Sequence, residues 1–248
     1  LCFFIANIKK FPKGGFVTLI IGGIFFIVMY VWYFARKTNN KLVRFVDLNT
    51  YLPTLKELSE DDEIPKFSTH LIYLTKANRK NHIEEKIIKS IFSKKPKRAD
   101  VYWFLHINRT DDPYTLDYEV QELMDDKVIR IDINVGFRIQ PRTELYFKKI
   151  VQELVKNKEL NLHIRPDGST KYNPEPDLKF VVIEKFLSLE NEFSVRDGVL
   201  LTSYFFLKKL SQSDEKAFGL EKSDIVVEDV PLLVRPIQKI ELRKAGKN

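Results

Sequence analysis

The chain is poor in the residues that build most chemical sites. Its single cysteine, Cys2, lies in an apolar run, so no disulfide can form within the chain and no thiolate cluster is available to zinc. The four histidines, His70, His82, His106 and His163, are never two or four residues apart, the spacings that bring two imidazoles to one metal on a strand or helix. Glycine is scarce beyond residue 44, at positions 136, 168, 198, 219 and 246, and neither GxGxxG nor GxxxxGK[ST] occurs, so both standard phosphate cradles are missing. No GxSxG supports a nucleophile elbow. The acidic pairs Asp111–Asp112 ("TDDPY") and Asp125–Asp126 ("MDDK") read as turn formers beside proline and before a strand. No catalytic residue, metal ligand or cofactor is expected, and the chain does not read as an enzyme.

Acidic residues are absent from one region. Residues 1–44 carry seven basic side chains (Lys9, Lys10, Lys13, Arg36, Lys37, Lys41, Arg44) and no Asp or Glu, which accounts for the whole net charge of +7. The rest is balanced at 34 basic and 34 acidic residues, without the basic surplus a nucleic-acid surface requires. Nucleic acid is therefore excluded as a partner.

What is present is a long hydrophobic run. Gly15–Phe34 is uncharged, and a helix of that length covers ~30 Å, the thickness of a bilayer's hydrocarbon core. Twelve of its residues are Leu, Ile, Val or Phe, which supply on the order of −5 kcal/mol of insertion free energy. Trp32 and Tyr33 fit an aromatic belt, and Arg36, Lys37, Lys41 and Arg44 a basic flank, although Lys9, Lys10 and Lys13 make the other flank basic too. Gly15, Gly22 and Gly23 offer a small-residue face to a neighbouring helix. The run is too long for a signal peptide, and no small-residue cleavage site follows. "LCFFIANI" reads as the end of a preceding apolar helix. The chain is thus expected to be the C-terminal piece of a longer membrane protein, with hydrophobic sequence encoded upstream of Leu1. The lone cysteine agrees with a reducing, cytosolic environment beyond the span.

The expected organisation is the end of a preceding span at 1–8, a loop at 9–14, a transmembrane helix at 15–36, a linker at 37–66, an α/β domain at 67–235 and a tail at 236–248. In the domain, strands ("THLIYLT", "DVYWFLHI", "KVIRIDINVGFRIQ", "LKFVVIEKF", "SDIVVEDVPLLV") alternate with helices ("NHIEEKIIKSIF", "RTELYFKKIVQELV", "GVLLTSYFFLKKL"). "RPDGST" and "NPEP" read as turns, and Ser194 with Asp197 as a helix start. The order implies an α/β fold with a mostly parallel sheet and at least one antiparallel element.

Two sets of residues stand out as ligand candidates. Arg130, Asn134 and Arg138 alternate along the polar face of one strand, where guanidinium groups can hold an anion or an acidic surface; the plainer reading is a solvated edge. Ligands of open α/β sheets also collect beyond the carboxyl ends of strands, which marks Thr75, Lys76 and Asn78 after the first strand and Asn108 and Arg109 after the second.

"KFPKGGFVTLIIGGIFFIVMYVWYFAR" resembles the last transmembrane segment of the KUP (HAK/KT) family of potassium uptake proteins. "HLIYLTKA", "KRADVYWFLHINRTDDPYTLDYEV", "VIRIDINVGFRIQPR", "FVVIEKFLS" and "KKLSQSDEKAFGL" resemble successive landmarks of its cytoplasmic C-terminal domain, so the resemblance covers most of residues 9–234. It implies a proton-coupled potassium importer of the cell membrane with about twelve spans, the loop 9–14 outside and residues from about 37 onward cytoplasmic. The ion path would lie in earlier spans, so no ion-binding residue is expected here, in line with the absence of an intramembrane charge. The resemblance further implies a regulatory or dimerising role for the domain, in a homodimer, with a cyclic dinucleotide as regulator. One departure is the missing glycine-rich signature of nucleotide-binding stress-protein folds. The alternative from another class is a single-span, membrane-anchored α/β sensor.

Overall fold

The computed structural model describes residues 14–41, 43–93, 95–157, 177–187, 195–210, 219–220 and 225–232. The expected preceding helix and loop, the turns "RPDGST" and "NPEP", Ser194 and the tail lie outside them. The chain divides into two compact units. One contains residues 1–42, 187–211 and 232–248, the other 43–186 and 212–231.

In the first unit, α1 (Gly15–Lys41) carries the apolar run, and α5 (Val195–Leu210) packs against its C-terminal half. Residues Gly15–Asn40 are long and apolar enough to cross a membrane, and that stretch buries none of its most apolar window. The large side chains point outward: Leu19, Phe25, Phe26 and Ile27 are all more than half exposed. Only toward α5 does the surface close. Ala35 is fully buried, and the Trp32 and Tyr204 rings lie 5.3 Å apart.

The second unit is built on a six-stranded sheet, ordered β5 (Leu116–Met124), β6 (Val128–Gly136), β4 (Arg98–Thr110), β2 (Lys66–Thr75), β7 (Leu178–Leu187), β8 (Ile225–Leu232). β6, β4, β2 and β7 run parallel and β5 antiparallel to β6. Because side chains alternate across a strand, each central strand feeds two cores. On one face Leu71, Tyr73, Tyr102, Phe104 and Val181 meet α2 (Leu52–Glu60) through Leu55 and Leu58, and α3 (Glu85–Phe92) through Ile87, Ile88 and Ile91. On the other, Ile72, Trp103, Leu105, Ile129, Ile131 and Phe180 meet Phe147, Ile150 and Leu154 of α4 (Thr143–Lys156). Trp103 and Phe180 both meet the Phe147 ring edge-on, at 5.1 and 5.6 Å.

Three sequence expectations need revision. Residues 45–60, read as linker, form the short strand β1 (Phe45–Asp47), paired with β3 (His82–Glu84), then a 3-10 turn over Leu48–Tyr51, and α2. Pro53 sits in the first turn of α2, where its missing N–H costs nothing, and Leu48, Leu55 and Leu58 seal one core. β5 was not expected. The strand of Arg130 is not a solvated edge either: β6 lies between β5 and β4, and it ends at Gly136, so Arg138 falls in the following turn. A Cβ on Gly136 would approach the Pro113 carbonyl oxygen to 2.5 Å, which is why the turn needs glycine there.

Candidate functional site

Beyond the carboxyl end of β2, and alongside β4 and β6, the chain forms one tightly held loop, residues 76–81. Arg130 holds it from beneath. Its side chain is 1% exposed; Nη1 donates to the carbonyls of Arg79 (2.9 Å), Lys80 (3.1 Å) and His82 (3.2 Å), and Nη2 to that of Ala77 (2.6 Å). The planar fork of donors suits this convergence, where a lysine ammonium would reach fewer acceptors. From the far side, buried Glu84 accepts the Thr75 hydroxyl at 2.6 Å and the Lys76 amide N–H at 2.8 Å. With its carbonyls turned inward, the loop presents Lys76, Asn78, Arg79 and Lys80 outward, and Lys80 reaches Glu119 of β5.

Arg130 also pairs with Asp132, Nη2 to Oδ1 at 2.8 Å, and His106 Nδ1 lies 2.9 Å from the same oxygen. Burial works against the Asp132 carboxylate, but hydrogen bonds from His106 and Arg130 prevail and hold its pKa down at about 2. Further along the same face, Asn108 donates to Asn134 and Asn134 to Asp117, at 3.0 and 2.6 Å. The arrangement is a polar ladder across β4, β6 and β5, whose registered partners His106 with Asp132 and Asn108 with Asn134 follow from parallel pairing.

The structure brings Thr75, Lys76, Asn78 and Arg130 together. Thr75 and Arg130 are buried and spend their polar atoms on the protein, so they shape the loop, while Lys76 and Asn78 are exposed on it. Arg109 and Arg138 form a separate pair around the Gly136 turn. Arg109 Nη1 donates to the carbonyls of Gly136 (3.2 Å) and Ile139 (3.0 Å), and Arg138 donates to the Tyr114 hydroxyl at 3.1 Å. Sequence reasoning missed Glu84, Asp132 and His106 as site residues; the signal for Asp132 was its place between Arg130 and Asn134 on the polar face of β6, and for His106 its place as the first polar side chain after the apolar run 101–105 of β4. Among the described residues no group of three or more His, Cys, Asp or Glu side chains could hold a metal ion.

Comparison with known proteins shows what this loop and sheet belong to. Residues 68–232 match the potassium transporter C-terminal domain, and residues 1–37 match the potassium transporter integral membrane domain. The chain belongs to the KUP family of potassium transporters. It is 47% identical over 98% of its length to a probable potassium transport system protein Kup of Cytophaga hutchinsonii. Against proteins of the same name from Flavobacterium johnsoniae and Clostridium perfringens it is 43% and 34% identical, over 99% of its length in each case. It spans 37% of the length of each of these Kup relatives. No solved structure matches the chain.

Proposed function

We propose that this chain supplies a membrane span and the cytoplasmic domain of a KUP-type potassium importer that moves potassium together with a proton. The observation that carries the proposal is the joint match of residues 1–37 to the family's membrane domain and of 68–232 to its C-terminal domain, in one chain whose α1 is apolar and outward-facing. In this reading the protein is multi-pass, α1 exits into the cytoplasm at about residue 37, and the domain catalyses no reaction but regulates or dimerises the transporter. The test is growth at low potassium of an uptake-deficient bacterial strain that carries the full coding sequence, beside one ending at Lys37. Rescue by the full sequence supports import, and the shortened one reports what the domain adds. Failure of a membrane-inserted full-length protein to rescue turns the reading toward an anchored sensor.

The regulatory ligand in this proposal is an anion of the cyclic dinucleotide class, met by Lys76 and Asn78 on the 76–81 loop and by Arg109 and Arg138 at the Gly136 turn, with Thr75 and Arg130 keeping the loop in shape. Its support is a cationic loop whose backbone is already fixed, so that little ordering entropy remains to be lost on binding. Titration calorimetry of the chain in detergent with cyclic di-AMP is expected to show saturable heat that Lys76→Gln weakens. Absence of heat at high micromolar ligand ends this part of the proposal.

A further inference from the structure

α5 is apolar on two sides, and the first unit covers only one of them. Leu200, Leu201 and Tyr204 are buried, whereas Val195, Val199 and Phe206, at helical spacing along another face, are 86%, 62% and 64% exposed. Polar residues such as Thr202 and Lys208 interrupt the helix, but a stripe of exposed large apolar side chains still calls for a second apolar surface. At 16 residues α5 covers ~24 Å, too short to cross a bilayer.

The packing of α5 on α1 sets its depth. Ile24 stands at the middle of the apolar run, and Trp32, eight residues on, lies ~12 Å further along the axis, close to the ~15 Å half-thickness of the hydrocarbon core. Tyr204, ring to ring with Trp32, is therefore at the boundary between acyl chains and headgroups. Whatever angle α5 makes, Val199 and Phe206 lie within ~8 Å of Tyr204 along its axis, comparable to the roughly 5–8 Å depth of one headgroup layer. One turn beyond Trp32, an open depression of about 650 Å³ is lined by Trp32, Tyr33, Arg36, Lys37 and Asn40, two cations and an amide at headgroup level.

We propose that α5 lies in the headgroup layer of the bilayer that α1 crosses, with Val195, Val199 and Phe206 against lipid and with anionic phospholipid phosphates held by Arg36 and Lys37 in the adjacent depression. This rests on α1 being a span. It adds that a segment deep in the C-terminal sequence is a membrane-surface element, a location the alternation of strands and helices does not reveal.

The test uses the full 248-residue chain with Cys2→Ser and one cysteine at a time from Phe25→Cys, Val199→Cys, Phe206→Cys or Glu57→Cys, each labelled with the fluorophore NBD. The labelled chains are reconstituted in nanodiscs of phosphatidylcholine, with or without phosphatidylglycerol. Expected are quenching at 25 by spin labels deep in the acyl chains, quenching and blue-shifted emission at 199 and 206 with shallow labels, and aqueous emission at 57. The shift at 199 and 206 should be larger with phosphatidylglycerol, and that increment should be lost in Arg36→Gln/Lys37→Gln. Deep quenching at 25 with aqueous emission at 199 and 206 overturns the inference and leaves the span intact; no deep quenching at 25 overturns both. A shift that vanishes at one chain per nanodisc assigns the face to a second copy and also overturns it. Equal shifts in both lipids remove the phosphate site.

Discussion

α1 and the central sheet are both rich in large apolar side chains, yet they treat them oppositely. Leu19, Phe25, Phe26 and Ile27 of α1 are 61–65% exposed, whereas Ile72, Trp103 and Ile129 of the sheet are at 0%. One region is therefore suited to an apolar solvent, the other to its own interior. The contrast teaches that hydrophobicity is meaningful only with its partner named: lipid for α1, two helical layers for the sheet.

The largest test of that contrast is truncation. Trp103→Ala removes the ring that spans from His70 to Phe147 and is expected to destabilise the second unit by about 3–5 kcal/mol, read as a lowered urea midpoint in detergent. Phe25→Ala, a comparable deletion in α1, should leave that midpoint where it was. Arg130→Met comes next. It strands four inward carbonyls and leaves Asp132 with His106 alone, and a cost of roughly 3 kcal/mol should appear together with faster proteolysis within residues 76–81. In α1, Ile24→Lys should reduce the insertion free energy from on the order of −5 to about −2 kcal/mol, so carbonate-resistant membrane association weakens without disappearing.

A pH test probes the sheet's interior alone. Burial lowers the pKa of His70 to about 4, and the Trp103 indole N–H donates to its Nδ1 at 3.2 Å, so the folded ring is neutral. Its folded pKa is below the unfolded one, so its contribution is fully present above pH ~6.5 and is lost as pH falls toward 4, by about 3 kcal/mol at most. His70→Gln should flatten that limb relative to the parent chain in urea titrations at stepped pH. The smallest effect belongs to the surface: Lys80→Ala removes an exposed ion pair with Glu119 and should change stability by less than about 0.5 kcal/mol.

Much of this was legible in the sequence because periodicity reports burial directly. The uncharged run gave α1 its length, and the every-second-residue pattern from Ile129 identified a strand with one apolar face. β5 escaped although Leu116, Tyr118 and Val120 alternate with Asp117, Glu119 and Gln121: the run is short, three of its nine residues are acidic, and it is largely exposed, so its signal is weak. α2 escaped because nine residues opening on proline offer too short a stripe. Alternation told that Arg130 and Ile131 point to opposite faces, but not that residues 76–81 fold over the first of them. That depends on a contact 50 residues away in the chain, which no local pattern encodes. α5 was assigned to the α/β domain by its place in the order; its grouping with α1 is a fact of tertiary packing.

The grip of Arg130 on Ala77, Arg79, Lys80 and His82 is made entirely through main-chain oxygens. Every amino acid brings the same oxygen. The contour of the loop is thus separated from its chemistry: side chains at 76, 78, 79 and 80 can be exchanged one after another while the platform beneath them keeps its shape, so a new surface chemistry would require no change of fold.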